Sequence, residues 1–277
     1  MTKILFPNGA IKKPKYYNCH YKFILNIFEY LGFEIEYCPP TQLDIPRFTL
    51  QIDGETIVID FSDHVKLNKY HENYKYYFKY HYTEGLHEQY SHIFPLGAIS
   101  FLDWKQYYKL REKIHYTANG DKILNNQRVF GNAVKRRIKV RQILKEKYGN
   151  LLDLQRTNQT TYWKKANDCL VSVHVPGARN DMLDRAQHQF FAFGMCTISP
   201  KLNTYLAYKE KIIPNIHYIE CKPGYADLIE KIEWCKENRD KCVQIGKNAQ
   251  KLFLKTSTPD KIWEWMKCCL NQTDQFM

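Results

Sequence analysis

The sequence predicts an α/β protein made of two βα-rich halves, and three observations lead there. Short apolar strands alternate with amphipathic helices along all 277 residues. The pattern restarts once, after a polar stretch at residues 116–121. Predicted helices stop at glycine and start at capping residues or proline. At 44% hydrophobic and 25% charged residues, the composition suits a chain with its own core and excludes disorder as the main state. No apolar run approaches the ~20 residues needed to span a bilayer. The apolar stretch after Met1 has no cleavage site and is expected to be a strand, not a signal peptide.

Residues 3–6 give the first strand, closed by the turn Pro7-Asn8-Gly9. A helix follows over residues 19–31, with Phe23, Ile24, Ile27, Phe28 and Leu31 on one face and Gly32 as its stop. Residues 33–37 alternate with period two and form a strand. Phe48, Leu50 and Ile52 alternate, Asp53-Gly54 turns, and Ile57, Ile59 and Phe61 alternate again, a hairpin or a pair of adjacent strands. Residues 92–101 are apolar and read as a buried strand. After residue 118 come a strand over 123–130, a Gly131-Asn132 turn and a helix over 133–148. On a helical wheel Val134, Ile138, Leu144 and Tyr148 share an arc that includes Arg137 and Arg141. Strands at 151–154, 169–175 and 196–198 then alternate with helices at 161–167 and 181–193. Three helical stripes complete the chain: Leu228 to Cys235, Cys242 to Phe253, and a helix opened by Thr258-Pro259. The expected domains are residues 1–118 and 119–277, with the last helix able to cross back.

Nine cysteines without a C-x-x-C pair argue for reduced thiols, against a structural zinc site, and for a cytoplasmic protein. The net charge is +12, and residues 101–150 alone hold 13 Lys/Arg against 4 Asp/Glu. An anionic partner, nucleic acid or the phosphates of a nucleotide, is the natural reading. A solvated basic helix face is the plain alternative.

Three places have the residues for chemistry. The turn at Gly131 opens a basic helix carrying Arg136 and Arg137, where free N–H groups and a guanidinium fork suit phosphate. The stretch from Val175 through Gly177, Arg179, Asp184, Arg185 and Gln189 to Gly194 and Pro200 takes a strand through a loop into a helix. Such a loop places arginines and backbone amides where a diphosphate would be held. The third place is Asp60-Phe-Ser-Asp63-His64 at the end of a strand, with Lys79, Tyr80 and His81 in a segment rich in aromatics. Residues 70–94 hold nine Tyr/Phe and four His, which can stack on bases or sugars, or simply pack a strand.

The run Gln189-Phe-Phe-Ala192-Phe-Gly194-Met-Cys-Thr-Ile198-Ser-Pro200 resembles the donor half of GT-B glycosyltransferases. The tail, with Tyr218-Ile-Glu-Cys and the helix around Gly246-Lys-Asn-Ala249, is similar to that family's last strand and helices. The chain looks closest to exostosin-like and capsule-type enzymes, including the small xylosyltransferases of large algal viruses. The likeness covers residues 123–277, and the first half only through topology. It implies two Rossmann-like domains facing a cleft, residues 1–118 binding an acceptor and 119–277 a donor. It also implies a nucleotide-sugar co-substrate, UDP-xylose first, a carbohydrate acceptor, no other cofactor, and host cytoplasm if the chain is viral.

On this resemblance Gly131, Arg136, Arg137, His174, Gly177, Arg179, Asp184, Arg185 and Gln189 bind the donor. Asn8, Gly9, Lys79 and Tyr80 bind the acceptor. Asp63 is the first choice for the base that takes the acceptor proton, with His81 and His64 behind it. Gln189 stands where many members carry Glu, and the glutamate pair of retaining members is absent, which favours inversion. There is no Asp-x-Asp, so no essential metal is expected. A nucleic-acid-binding protein and an inactive GT-B scaffold are the alternatives. No nucleic-acid motif supports the first, and the second is a matter of loop residues, not fold.

Overall fold

In the computed structural model of the chain, residues 2–8, 15–39, 47–177, 179 and 181–272 are described. In order, they form β1 (Ile4–Pro7), α1 (Lys15–Tyr30), β2 (Ile35–Cys38), β3 (Arg47–Ile52), β4 (Glu55–Asp60), β5 (Tyr76–Lys79), β6 (Ile93–Pro95) and α2 (Trp104–Arg111). Then come β7 (Lys122–Leu124), α3 (Val134–Tyr148), β8 (Leu152–Asp153), α4 (Gln159–Lys164), β9 (Cys169–Val173), α5 (Arg185–Ala192) and β10 (Thr197–Pro200). The chain closes with β11 (Tyr205–Leu206), β12 (Glu210–Lys211), β13 (Ile219–Cys221), α6 (Leu228–Glu237), α7 (Arg239–Thr256) and α8 (Pro259–Gln272). It is an α/β protein. Among the described residues no helix is long and apolar enough to cross a membrane.

The chain divides into two compact units. The first gathers Met1–Lys105, Thr204–Lys211 and Thr256–Met277; the second holds Gln106–Asn203 and Ile212–Lys255.

The first unit is built on a six-stranded sheet in the order β2-β1-β3-β4-β5-β6. It is mixed, not wholly parallel. Asp53-Gly54 returns the chain at once, so β3 pairs antiparallel with β4 and with β1, while β1·β2, β4·β5 and β5·β6 run parallel. The alternating residues of this hairpin bury Leu50, Ile57 and Ile59. Rings fill the core: Phe6 packs on Phe28 and Phe48, and Phe23 on Phe61 and Trp104. Helix α8 belongs to this unit. Its Trp263 meets Phe28 and Phe33, and Trp265 donates to the Pro95 carbonyl. The segment 92–101 is buried as expected, but only Ile93–Pro95 is strand, because Pro95 removes a ladder donor.

The second unit has a five-stranded parallel sheet, β13-β10-β9-β7-β8. Numbered from β7, the edge-to-edge order is 2-1-3-4-5, an arrangement that leaves a crevice at the carboxyl ends of the first and third strands, β7 and β9. β9 is buried throughout, as a central parallel strand requires. Gly194, in the motif quoted above, ends α5 with φ +69°. A Cβ on Gly246 of α7 would lie 1.9 Å from the Gly194 carbonyl oxygen, so only glycine lets α7 seat on that turn.

Two elements differ from the sequence reading. Helix α5 starts at Arg185, not at 181, because Asp184 caps it by accepting from the Ala186 N–H at 2.9 Å. On α3 the buried arc is Arg137, Val140, Leu144 and Tyr148, and Ile138 is 51% exposed. The inward face follows Arg137, whose fork finds carbonyl partners inside; Ile138, about 100° further round, is left in solvent.

Candidate functional site

The carboxyl ends of β7 and β9 lead into two loops, 125–130 and 174–184, and α3 leans three arginines over them. Arg137 donates from Nε and Nη2 to the Val175 carbonyl (3.2 and 3.0 Å) and from Nη1 to the Arg128 carbonyl (2.5 Å). Arg136 donates to the carbonyls of Pro176 (3.1 Å) and Gly177, and Arg141 to that of Gln127. The Gln127 side chain accepts from the Val175 N–H at 2.6 Å, tying the loops together. Nearly all these contacts are to neutral carbonyls. The carboxylate that meets Arg137 is Asp184, 3.8 Å from Nη2.

The three arginines of α3 therefore meet one carboxylate, while Arg179 and Asp181 of the second loop pair with each other. The Nε atoms of Arg136 and Arg141 and Nδ1 of His174 are buried without a hydrogen-bond partner among the described residues. A buried donor left in that state costs about 1–3 kcal/mol until an acceptor arrives. Burial, with Arg137 and Arg156 nearby, lowers the Arg141 pKa. Burial pushes the Asp184 carboxyl up, but His174, Arg137 and the Ala186 N–H outweigh it and hold it below the ordinary value. Asp184 is thus ionised at neutral pH.

His174 is fully buried. Its Nε2 lies 2.9 Å from Ser172 Oγ and its Nδ1 3.7 Å from Asp184 Oδ1, while its carbonyl accepts from the Tyr225 hydroxyl at 2.8 Å. Ser172, His174 and Asp184 have the composition of a nucleophilic triad. Ser172 sits inside β9 at 1% exposure, however, so no substrate reaches its hydroxyl. Its role is to orient the imidazole.

The other donor candidates are placed as follows. Gly131 opens the turn before α3 with φ +65° and is exposed. Gly177 is half-buried under Arg136. Arg179 is tied to Asp181 by two bonds, 2.9 and 3.0 Å, which already engage its fork. Arg185 begins α5. Gln189 is turned into the core, where its Oε1 accepts from the Trp163 indole at 3.1 Å, so its part in holding a ribose has no geometry to stand on. Tyr225, Gln127 and Arg141 complete the edge and were not among the donor residues expected; Arg141 had a signal in its place on the arginine-bearing arc.

In the first unit, strand register brings together a second polar cluster. Asp60 ends β4 opposite Arg47 of β3 and Lys79 of β5. Its carboxylate accepts from Arg47 Nε (2.9 Å), Tyr77 OH (2.5 Å) and the Ser62 N–H (2.7 Å), with Lys79 Nζ at 3.5 Å. Lys79 donates to the Ser62 carbonyl and hydroxyl at 2.8 and 2.6 Å. Burial lowers the Lys79 pKa to about 8 despite Asp60; burial raises that of Asp60, but Lys79 and Arg47 pull it below normal. Lys79 and Tyr80 are buried, and Lys79 is committed to this network rather than offered to an acceptor. Asp63 is half-buried just beyond it, His64 is exposed, and His81, buried, donates from Nδ1 to the Asp63 carbonyl at 3.0 Å. Asn8 is exposed and its N–H donates to the Cys38 carbonyl; Gly9 lies outside the described residues.

No family model matches the chain. It is 25% identical over 172 residues to uncharacterized protein 179R of Invertebrate iridescent virus 6, covering 56% of this chain and 14% of that one. It is 28% identical over 65 residues to uncharacterized protein 035R of Invertebrate iridescent virus 3, covering 24% of this chain and 6% of the relative. The chain thus spans a small part of the relatives it matches.

Proposed function

We propose that the protein is a glycosyltransferase of GT-B type that binds a nucleoside diphosphate sugar at the β7–β9 edge of its second unit. The observation that carries the reading is the pair of donors left unsatisfied there, Arg136 Nε and Arg141 Nε, on three α3 guanidinium groups that meet one carboxylate, Asp184. A diphosphate supplies acceptors and two negative charges, and the carboxyl edge of a parallel sheet at a strand-order reversal is where such ligands sit. The arginines would neutralise the leaving diphosphate, the part a divalent ion plays elsewhere. Asp184 would hold His174 and Arg137 in place. UDP-xylose is the first donor to try, on the resemblance of residues 189–200. The acceptor-side candidates Asp63, His81 and His64 belong to the first unit and enter as mutational tests.

The test is a transfer assay with a panel of nucleotide sugars and oligosaccharide acceptors, read by mass spectrometry with and without chelator. Sugar transfer that persists in chelator supports the proposal. Release of nucleoside diphosphate from no donor on the panel would remove the enzyme reading, and activity restored only by manganese would remove the arginine-only account of charge.

A further inference from the structure

A second site lies in the second unit, away from the arginine edge. The edge strand β13, helices α6 and α7 and the segment 212–218 enclose a cavity of about 720 Å³. That is within the range of small-molecule sites, roughly 300–1,000 Å³. Ile219 and Ile245, both buried, form its apolar floor, and the half-buried indole of Trp234 gives it an aromatic wall.

The polar lining has an uncommon composition for this chain. The protein carries +12, yet the cavity brings three glutamates against two lysines. Glu233 is engaged by the Tyr148 hydroxyl and Lys236, both at 2.9 Å. The side chains of Glu230 and Glu237, exposed on the same face of α6, have no hydrogen-bond or ion-pair partner among the described residues. Across from them Gln244 and Asn248 on α7 bond to each other at 2.9 Å. Carboxylates and amides are planar groups with paired acceptors and donors, the complement of neighbouring hydroxyls on a sugar ring. An indole face offers a rigid apolar surface against which ring C–H groups pack.

Charge narrows the ligand further. With Glu233 paired to Lys236, the exposed carboxylates of Glu230 and Glu237 still disfavour phosphates and nucleic acid here. A cationic ligand would compete with Lys241, whose Nζ already lies 5.8 Å from the Trp234 ring centre. A neutral polyol meets neither obstacle.

We propose that this cavity binds a neutral oligosaccharide, with Trp234 as its platform and Glu230, Glu237 and Gln244 as its hydroxyl partners. None of these residues belongs to the arginine edge, so the site stands without the nucleotide reading.

The experiment titrates the full chain with xylotetraose, cellotetraose, maltotetraose and mannotetraose, by calorimetry and saturation-transfer NMR. At least one should bind. Trp234→Ala should weaken that binding by about tenfold or more, a loss of about 1.4 kcal/mol, and Glu237→Gln, a surface change that leaves the fold alone, should weaken it as well. Arg137→Ala should leave it unchanged while impairing UDP, so the two sites fail separately. Absence of binding across all four sugars overturns the proposal. So does sugar binding that survives both cavity variants, or pentalysine binding in the cavity in place of sugar.

Discussion

Arg137 is the residue on which the proposed nucleotide site turns. Its guanidinium is 7% exposed, makes three hydrogen bonds to the Val175 and Arg128 carbonyls, and has Asp184 at 3.8 Å. Replacing it with alanine removes one of three cations and frees both loops. A hydrogen bond to a charged group is worth about 1.5–3 kcal/mol. UDP affinity should therefore fall about 10–150-fold in Arg137→Ala. Arg137→Lys keeps the charge but loses the planar fork, so its loss should be intermediate. Calorimetry of UDP binding, with circular dichroism to certify folding, reads both. Folded Arg136→Ala, Arg137→Ala and Arg141→Ala variants that each bind UDP within twofold of wild type would refute the reasoning.

Other perturbations test the scaffold and the first unit. Asp60→Asn leaves Lys79 and Arg47 buried without their carboxylate and should cost about 3–5 kcal/mol in a urea melt; a loss under 1 kcal/mol would mean the network is wetter than drawn. The Asp60 pKa lies below its unfolded value, so its share of stability is full above about pH 4 and is lost as pH falls through the folded pKa; the variant should lack that part of the acid transition. Gly246→Ala must displace the Gly194 carbonyl and should destabilise by about 1–3 kcal/mol or more, with an unchanged melt counting against the close approach. Asp63→Asn should slow transfer about 100-fold or more with UDP affinity intact. If it turns over normally while His81→Ala is inactive, His81 is the base.

The strand–helix alternation of the second unit was legible because each element declares itself locally: β9 by a run of buried β-branched residues, α5 by its glycine stop, though not by its Asp184 cap. The first sheet was half legible. Its Asp53-Gly54 hairpin was plain, but how that hairpin mixes parallel and antiparallel pairs depends on partners far along the chain. The arginine edge was partly visible in Arg136 and Arg137. Gln127 was hidden, since it acts through a contact 48 residues away in sequence. Ile138 was misplaced because a wheel equates hydrophobicity with burial, whereas here a guanidinium with carbonyl partners takes the inner position. Lys79 could be assigned only from register: Arg47, Asp60 and Lys79 are neighbours across three strands, which no spacing in the sequence reveals.

The central claim is that the β7–β9 edge recognises a diphosphate. Titrating the chain with UDP and with uridine, at low and high salt, addresses it most directly. The account predicts that UDP binds at least about 100-fold more tightly than uridine, the worth of roughly 2.7 kcal/mol of phosphate contacts. That advantage should collapse in the Arg137→Ala variant. Equal affinities for UDP and uridine, or no binding of UDP beside tight and steeply salt-dependent binding of a labelled oligonucleotide, would contradict it.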